Sequence, residues 1–175
     1  MTTSNKKTHE IQIYNQSKEL IFSGSKNDLR GRELKMADFT GWDLRGFNFT
    51  DCILSLANFS NVNGNYAFFD GAIFEKCNLS NSDFTKSSFD DAYFSNCNLS
   101  NSKFDEAYFG WSGFHECNFE NSRFHNANLN YAAFIRCNTI KTEFHNTELK
   151  RSRFCETDIS KSTFFGTDCN GFEAT

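Results

Sequence analysis

The segments CNLSNSDF (77–84), CNLSNSKF (97–104) and CNFENSRF (117–124) begin 20 residues apart and are nearly the same peptide. Within each, the large apolar residues fall five apart: Leu79 and Phe84, Leu99 and Phe104, Phe119 and Phe124. Carried outward, that register runs from Leu29 to Cys169 without an insertion. Of its 29 positions 17 are Phe, eight Leu and one Ile, and only Gly64, Thr139 and Cys169 depart. Two residues ahead of each centre lies a second rule. From Cys52 to Thr167 all 24 such positions are Ala, Ser, Cys, Thr or Val. The remaining three positions of each five are mainly polar, so the chain is an array of internal repeats.

A period of five suits neither regular element. On a helix, five residues advance the direction by about 500°, which spreads the Phe residues around the whole cylinder. On a strand, half of them would face water. A chain that turns a corner every five residues resolves this, sending one large and one small side chain inward and three outward. Four corners close a square coil of 20 residues, and successive coils stack as parallel strands about 4.8 Å apart. The spacing supports this coil length independently. Cys77, Cys97, Cys117 and Cys137 recur every 20 residues, each followed by Asn. Asn58, Asn78, Asn98, Asn118 and Asn138 make one column whose amides are placed to hydrogen-bond up the stack. Outward charges alternate as well: Asp83 over Lys103, Arg123 over Glu143, and Glu116–Arg136–Glu156. Twenty-nine repeats taken four at a time give about seven coils.

The pentads ADFTG (37–41), WDLRG (42–46), ANFSN (57–61) and CNLSN (77–81, 97–101) resemble the A(D/N)LXX consensus of the pentapeptide-repeat protein family. The resemblance covers roughly residues 27–171. It implies an all-β fold, a right-handed quadrilateral parallel β-helix; the handedness comes from the resemblance and not from the spacing. Members of that family range from gyrase-binding DNA mimics, which confer antibiotic resistance or self-immunity, to many proteins of unknown role. Gyrase-directed members often carry a loop that interrupts the repeats and a dimer-forming C-terminal helix. This sequence shows neither.

The expected organisation is a cap segment (1–26), the solenoid (27–171) and a short tail (172–175). Within the cap, IQIYN, QSKE and LIFS read as a hairpin over 10–23. Its Ile11, Ile13, Leu20 and Phe22 are suited to covering the exposed Phe and unpaired strand edge of the first coil. Trp42 and Phe47 stand at small-residue positions, which implies a wider first end. The C-terminal end has no such cover, which leaves open a homodimer through it.

A net charge of −4 favours neither direct nucleic-acid binding nor a disordered acidic chain. The N-terminus MTTSNKKTHE has no apolar core, and no apolar run approaches the roughly 18 residues of a membrane span. Seven cysteines, an odd number, read as reduced thiols in a cytoplasm. The Cys column reads as small apolar filler, because a linear stack does not make tetrahedral zinc geometry. Of the four histidines, His9, His115, His125 and His145, two stack on one face: His125 and His145 lie below Asp105, with no third ligand fixed beside them. Neither catalytic residues, a cofactor nor a metal is expected, and a Phe-filled core leaves no substrate cavity.

The outer faces are more informative. One is almost all Asn and Ser, and a second carries mixed charge. A third bears Asp28, Asp51, Asp70, Asp90, Asp91, Glu148 and Asp168 against Arg30, Lys150 and Arg151. A fourth points Ile53, Leu56, Ile73, Tyr93 and Ile135 outward. Between the last two, Trp111 and Tyr131 stack 20 residues apart with Tyr108 nearby, and Gly113 leaves room beside the indole. Exposed aromatics beside an acidic strip mark a protein-binding surface. Asp70, Asp90, Asp91, Tyr93, Tyr108, Trp111 and Tyr131 are its candidate residues. The expected function is a non-enzymatic scaffold for an unidentified protein partner. The alternative implied by the resemblance is a DNA-mimicking modulator of gyrase or another type II topoisomerase.

Overall fold

The computed structural model describes residues 10–25 and 29–175. Residues 1–9 and 26 of the cap segment, with His9, and Asp28 of the acidic strip lie outside the described residues.

Each pentad turns at the residue two after its centre. Nearly every such corner has positive φ, from Met36 (φ 58°) to Glu156 (φ 50°), Gly or not. This left-handed backbone is what bends the chain through a square corner, and Asn, Asp and Gly tolerate it best. The coils stack in parallel at a spacing of 20. The best-formed ladder runs β3 (Ile73–Glu75), β4 (Tyr93–Ser95), β5 (Gly113–His115), β6 (Ala133–Ile135), β7 (Arg153–Cys155) and β8 (Glu173–Ala174). These strands pair in that order, Phe74 opposite Phe94 and Phe114 opposite Phe134. They span five 20-residue steps, and the single bridges Glu33↔Ile53 and Ile53↔Ile73 continue the same ladder towards the N-terminus. No helix occurs among the described residues.

The centres form columns of stacked rings. Phe49, Phe69, Phe89 and Phe109 follow one another at 4.8, 4.8 and 4.7 Å, within 4° of parallel. Phe74, Phe94, Phe114, Phe134 and Phe154 form a second column at 4.3–4.9 Å. Neighbouring columns meet edge to face, as Phe104 does with Phe109 at 5.4 Å. Gly64 departs from the register for a packing reason. A Cβ there would lie 2.4 Å from Cδ1 of Phe84, whose ring fills the space.

The small inward positions do more than fill. Many of their hydroxyls and thiols donate to the carbonyl of the centre 23 residues earlier, one coil back, while Ser87, Ser112 and Ser152 donate to the centre three residues earlier. Ser82 Oγ reaches Phe59 O at 2.7 Å, Ser102 Oγ Leu79 O at 2.7 Å, Thr147 Oγ1 Phe124 O at 2.6 Å and Cys77 Sγ Leu54 O at 2.6 Å. The Asn column forms amide rungs between Asn78, Asn98, Asn118 and Asn138 at 3.5, 3.4 and 2.9 Å. Asn58 instead donates to Thr40 Oγ1 at 2.8 Å.

β1 (Glu10–Tyr14) and β2 (Leu20–Ser25) pair antiparallel as a hairpin. It adds to the edge of the first coil, where Asp38 N donates to Tyr14 O (2.9 Å) and Gln16 N to Met36 O (3.0 Å). Ile13 is buried, and Ile11, Ile21 and Phe22 pack on the core. Leu20, expected to cover it, is exposed. The cause is an irregularity after Ile13: Phe22 pairs with Ile13, but Leu20 pairs with Tyr14 on the opposite face. Phe47 is buried, and Trp42 lies edge-on to Phe39 at 5.4 Å. At the other end Phe172, at a small-residue position, leans over Phe154 (5.3 Å) and Phe164 (6.4 Å). This end therefore has a partial cover that the sequence reading did not foresee.

Candidate interaction surface

Trp111 and Tyr131 occupy consecutive corners of one column, with φ of 61° and 63°. Their rings lie parallel (3°) with centroids 4.2 Å apart. Arg151, the next corner, places its guanidinium 5.8 Å from the centre of the Tyr131 ring. Tyr131 is thus held between an indole and a cation, and Trp111 has its outer face free at 66% exposure. Below the corner opens a groove of about 510 Å³ lined by Trp111, Gly113, Tyr131, Ala133, Arg151 and Arg153, among others. Tyr93 also comes close to Gly113, where a Cβ would meet Tyr93 Cδ2 at 3.2 Å. The sequence reading placed Arg151 only among the bases of the acidic face, although it stands in the same 20-residue column as Trp111, and it missed Arg153.

The remaining candidates divide. Asp91 precedes Trp111 in the corner column and shares its left-handed backbone (φ 58°). Tyr93 on β4 and Tyr108 are exposed on the two faces that meet at this corner. Asp70 and Asp90 are turned along the stack. Asp70 Oδ1 accepts from Asp90 N at 3.1 Å and from the Ser88 hydroxyl, and Asp90 Oδ1 accepts from Gly110 N at 2.6 Å. Burial pushes the Asp90 carboxyl above its ordinary value, the Gly110 amide opposes that, and the charges of Asp70 and Asp91 add to it. Two of the strip's acids are therefore partly spent on joining coils.

As their spacing implies, Asp83 pairs with Lys103 on the mixed-charge face (3.9 Å), and Glu116 pairs with Arg136 at the corner after Phe114 and Phe134 (3.3 Å). Arg123 does not turn to Glu143. Its Nε donates to Asp105 Oδ1 at 2.9 Å, and Glu143 instead lies 2.8 Å from His125 Nε2. The reading that no third ligand stands beside His125 and His145 is corrected accordingly: Glu143 is there. Among the thiols, Cys52, Cys77, Cys97, Cys117 and Cys137 are buried, and burial pushes Cys52 up to about 11. Cys155 is half-buried, and Cys169 is exposed.

A closed stack of four-cornered coils with a ring-filled axis and decorated corners defines a class, the β-solenoid of five-residue repeats. The chain belongs to the pentapeptide-repeat family: the family's pentapeptide repeat region matches residues 67–137 and 87–164, and its eight-copy pentapeptide repeats match 33–63 and 43–81. Proteins of this fold are generally structural or interaction proteins. No curated protein is significantly similar to the chain. Solved structures similar to it include a pentapeptide repeat protein of the Arabidopsis thaliana thylakoid lumen (28% identity over 61% of this chain and 68% of that one, TM-score 0.46). Another is QnrB1, a plasmid-mediated fluoroquinolone resistance protein (16%, 83% and 86%, TM-score 0.48). A third is HetL, involved in heterocyst differentiation regulation in the cyanobacterium Nostoc sp. (16%, 85% and 87%, TM-score 0.40).

Proposed function

We propose that the protein is a cytoplasmic, non-enzymatic scaffold that presents the Trp111–Tyr131 corner to a protein partner. The observation that carries this reading is the placement of Trp111. A corner with φ of 61° is a position where Gly or Asn costs less than a bulky residue, yet here it holds a tryptophan at 66% exposure, stacked on Tyr131. Aromatic rings pre-ordered by stacking, with acids at one side (Asp90, Asp91) and arginines at the other (Arg151, Arg153), suit a partner surface with an apolar centre and charges of both signs at its rim.

Charge density speaks against imitation of DNA. Duplex DNA carries one negative charge per about 1.7 Å, so a rod of about 34 Å would need on the order of 20 of them. From residue 28 onward the chain has 20 acids but also 14 bases. We also infer that the chain pairs with a second copy through its C-terminal coil.

The test compares the wild type with Trp111→Gly in capture of partners from native cytosol. Trp111→Gly relieves the corner backbone while losing one ring stack, so its stability should stay within about 1 kcal/mol of wild type. The partner should be lost with Trp111→Gly and retained, with weak salt dependence, by wild type. Sub-micromolar inhibition of gyrase supercoiling, abolished by charge reversal at Asp70 and Asp90, would replace this reading with the DNA-mimic one.

A further inference from the structure

We propose that His125, Glu143 and His145 form a surface site for a divalent transition-metal ion of the zinc type. Glu143 and His145 flank the buried Phe144 on one pentad and so point outward together. His125 stands one coil earlier, directly over His145. The two imidazoles lie nearly parallel (10°) with centroids 4.7 Å apart. Their Nε2 atoms face the same way: His125 Nε2 is 2.8 Å from Glu143 Oε2, and His145 Nε2 is 2.8 Å from Thr163 Oγ1, one coil further along the same column. One ligand atom from each of the three residues lies within 4.8 Å of the other two.

A zinc ion holds nitrogen and oxygen ligands at about 2.0–2.2 Å, which puts neighbouring ligand atoms roughly 3.3 Å apart. The His125–Glu143 pair is already closer than that. His145 would give up its bond to Thr163 and close a gap of at most 4.8 Å to the other ligand atoms. The backbone beneath is fixed by the stacked rings of Phe124 and Phe144 (5.3 Å) and by His125 N, which donates to Asp105 Oδ1 at 3.2 Å. Arg123 makes its hydrogen bonds to Asp105, although the Glu143 charge also acts on it. Two imidazoles and one carboxylate select zinc, nickel, cobalt or copper over magnesium or calcium, which prefer all-oxygen sites. Water would complete the coordination. This site lies on a different face from the Trp111 corner and is independent of it.

The experiment is a competition titration of Zn²⁺ against a chromophoric chelator, with calorimetry as a second readout. Wild type should take up a single equivalent. Glu143→Gln and His145→Gln, at half-buried side chains outside the core, should each weaken binding by at least about tenfold while melting close to wild type. Cys169→Ser and Cys155→Ser should leave affinity unchanged, and Mg²⁺ should not compete. Absence of Zn²⁺ uptake by wild type overturns the proposal. So does uptake that survives both ligand substitutions, or that disappears with the cysteine substitutions.

Discussion

Asp90 shows how one side chain serves two opposed ends. Its Oδ1 accepts the Gly110 amide at 2.6 Å and so joins two coils. Asn130 does the same work without charge in the same column, accepting Lys150 N at 2.9 Å. The carboxylate form is the costly one, because burial, opposed by the Gly110 amide and reinforced by Asp70 and Asp91, raises the folded-state value above that of the unfolded chain. A raised acid favours the folded state while it is protonated, and that contribution is lost as pH rises through its folded value. At neutral pH Asp90 therefore opposes folding. Asp90→Asn, which keeps the acceptor, should raise stability at pH 7 by under about 1 kcal/mol, since the group remains part-exposed and screened. The gain should vanish as pH falls into the carboxylate range, where the wild-type group is neutral in both states. Urea melts at neutral and acid pH check this. A variant less stable than wild type at pH 7 would show that the charge strengthens the bond to Gly110 by more than its burial costs.

Within the coil, the polar filler is what links one turn to the next. Ser102 Oγ donates to Leu79 O at 2.7 Å and accepts Ser82 N at 3.2 Å, so it bonds to the coil before it on both counts. Ser122, one coil later in the same column, is buried with no partner for its hydroxyl. Ser102→Ala should therefore cost about 1–3 kcal/mol by stranding buried backbone groups, whereas Ser122→Ala should be neutral or stabilising. Equal losses in urea melts would refute the distinction. This contrast marks the limit of what the sequence shows. Period five and period 20 disclose which residues face inward and which stack, because those follow from backbone geometry alone: Phe104, Asn98 over Asn78, Trp111 over Tyr131. Where a long polar side chain then turns is decided by local competition. Arg123 goes to Asp105 instead of Glu143, which frees Glu143 for His125. Asp70 and Asp90 fold along the stack instead of facing solvent freely. The hairpin irregularity that exchanges Leu20 for Ile21 leaves no trace in the apolar pattern either.

At the scale of the molecule, the two ends of the stack are finished differently. The N-terminal edge is paired by the hairpin, and Gln16 Nε2 reaches over to Leu56 O at 2.7 Å. The C-terminal coil has Ile159, Phe164 and Phe172 only partly buried, Cys169 exposed, and Phe165 exposed to 76%. Its outer backbone presents the amides and carbonyls that every inner coil uses for its neighbour, an edge that solenoids otherwise cap. Two copies placed end to end about a two-fold axis would bury both apolar ends and pair both edges at once. The 175-residue chain should accordingly show a concentration-dependent dimer in multi-angle light scattering. Phe165→Glu, at a side chain exposed to 76% whose ring meets His145 edge-on at 6.4 Å, should shift it to monomer with little change in its melting temperature. Deletion of the hairpin should act oppositely, opening a second edge and producing species larger than a dimer. A monomer that persists to high concentration, or a dimer indifferent to Phe165→Glu, would mean that the partial cover by Phe172 is sufficient to close that end.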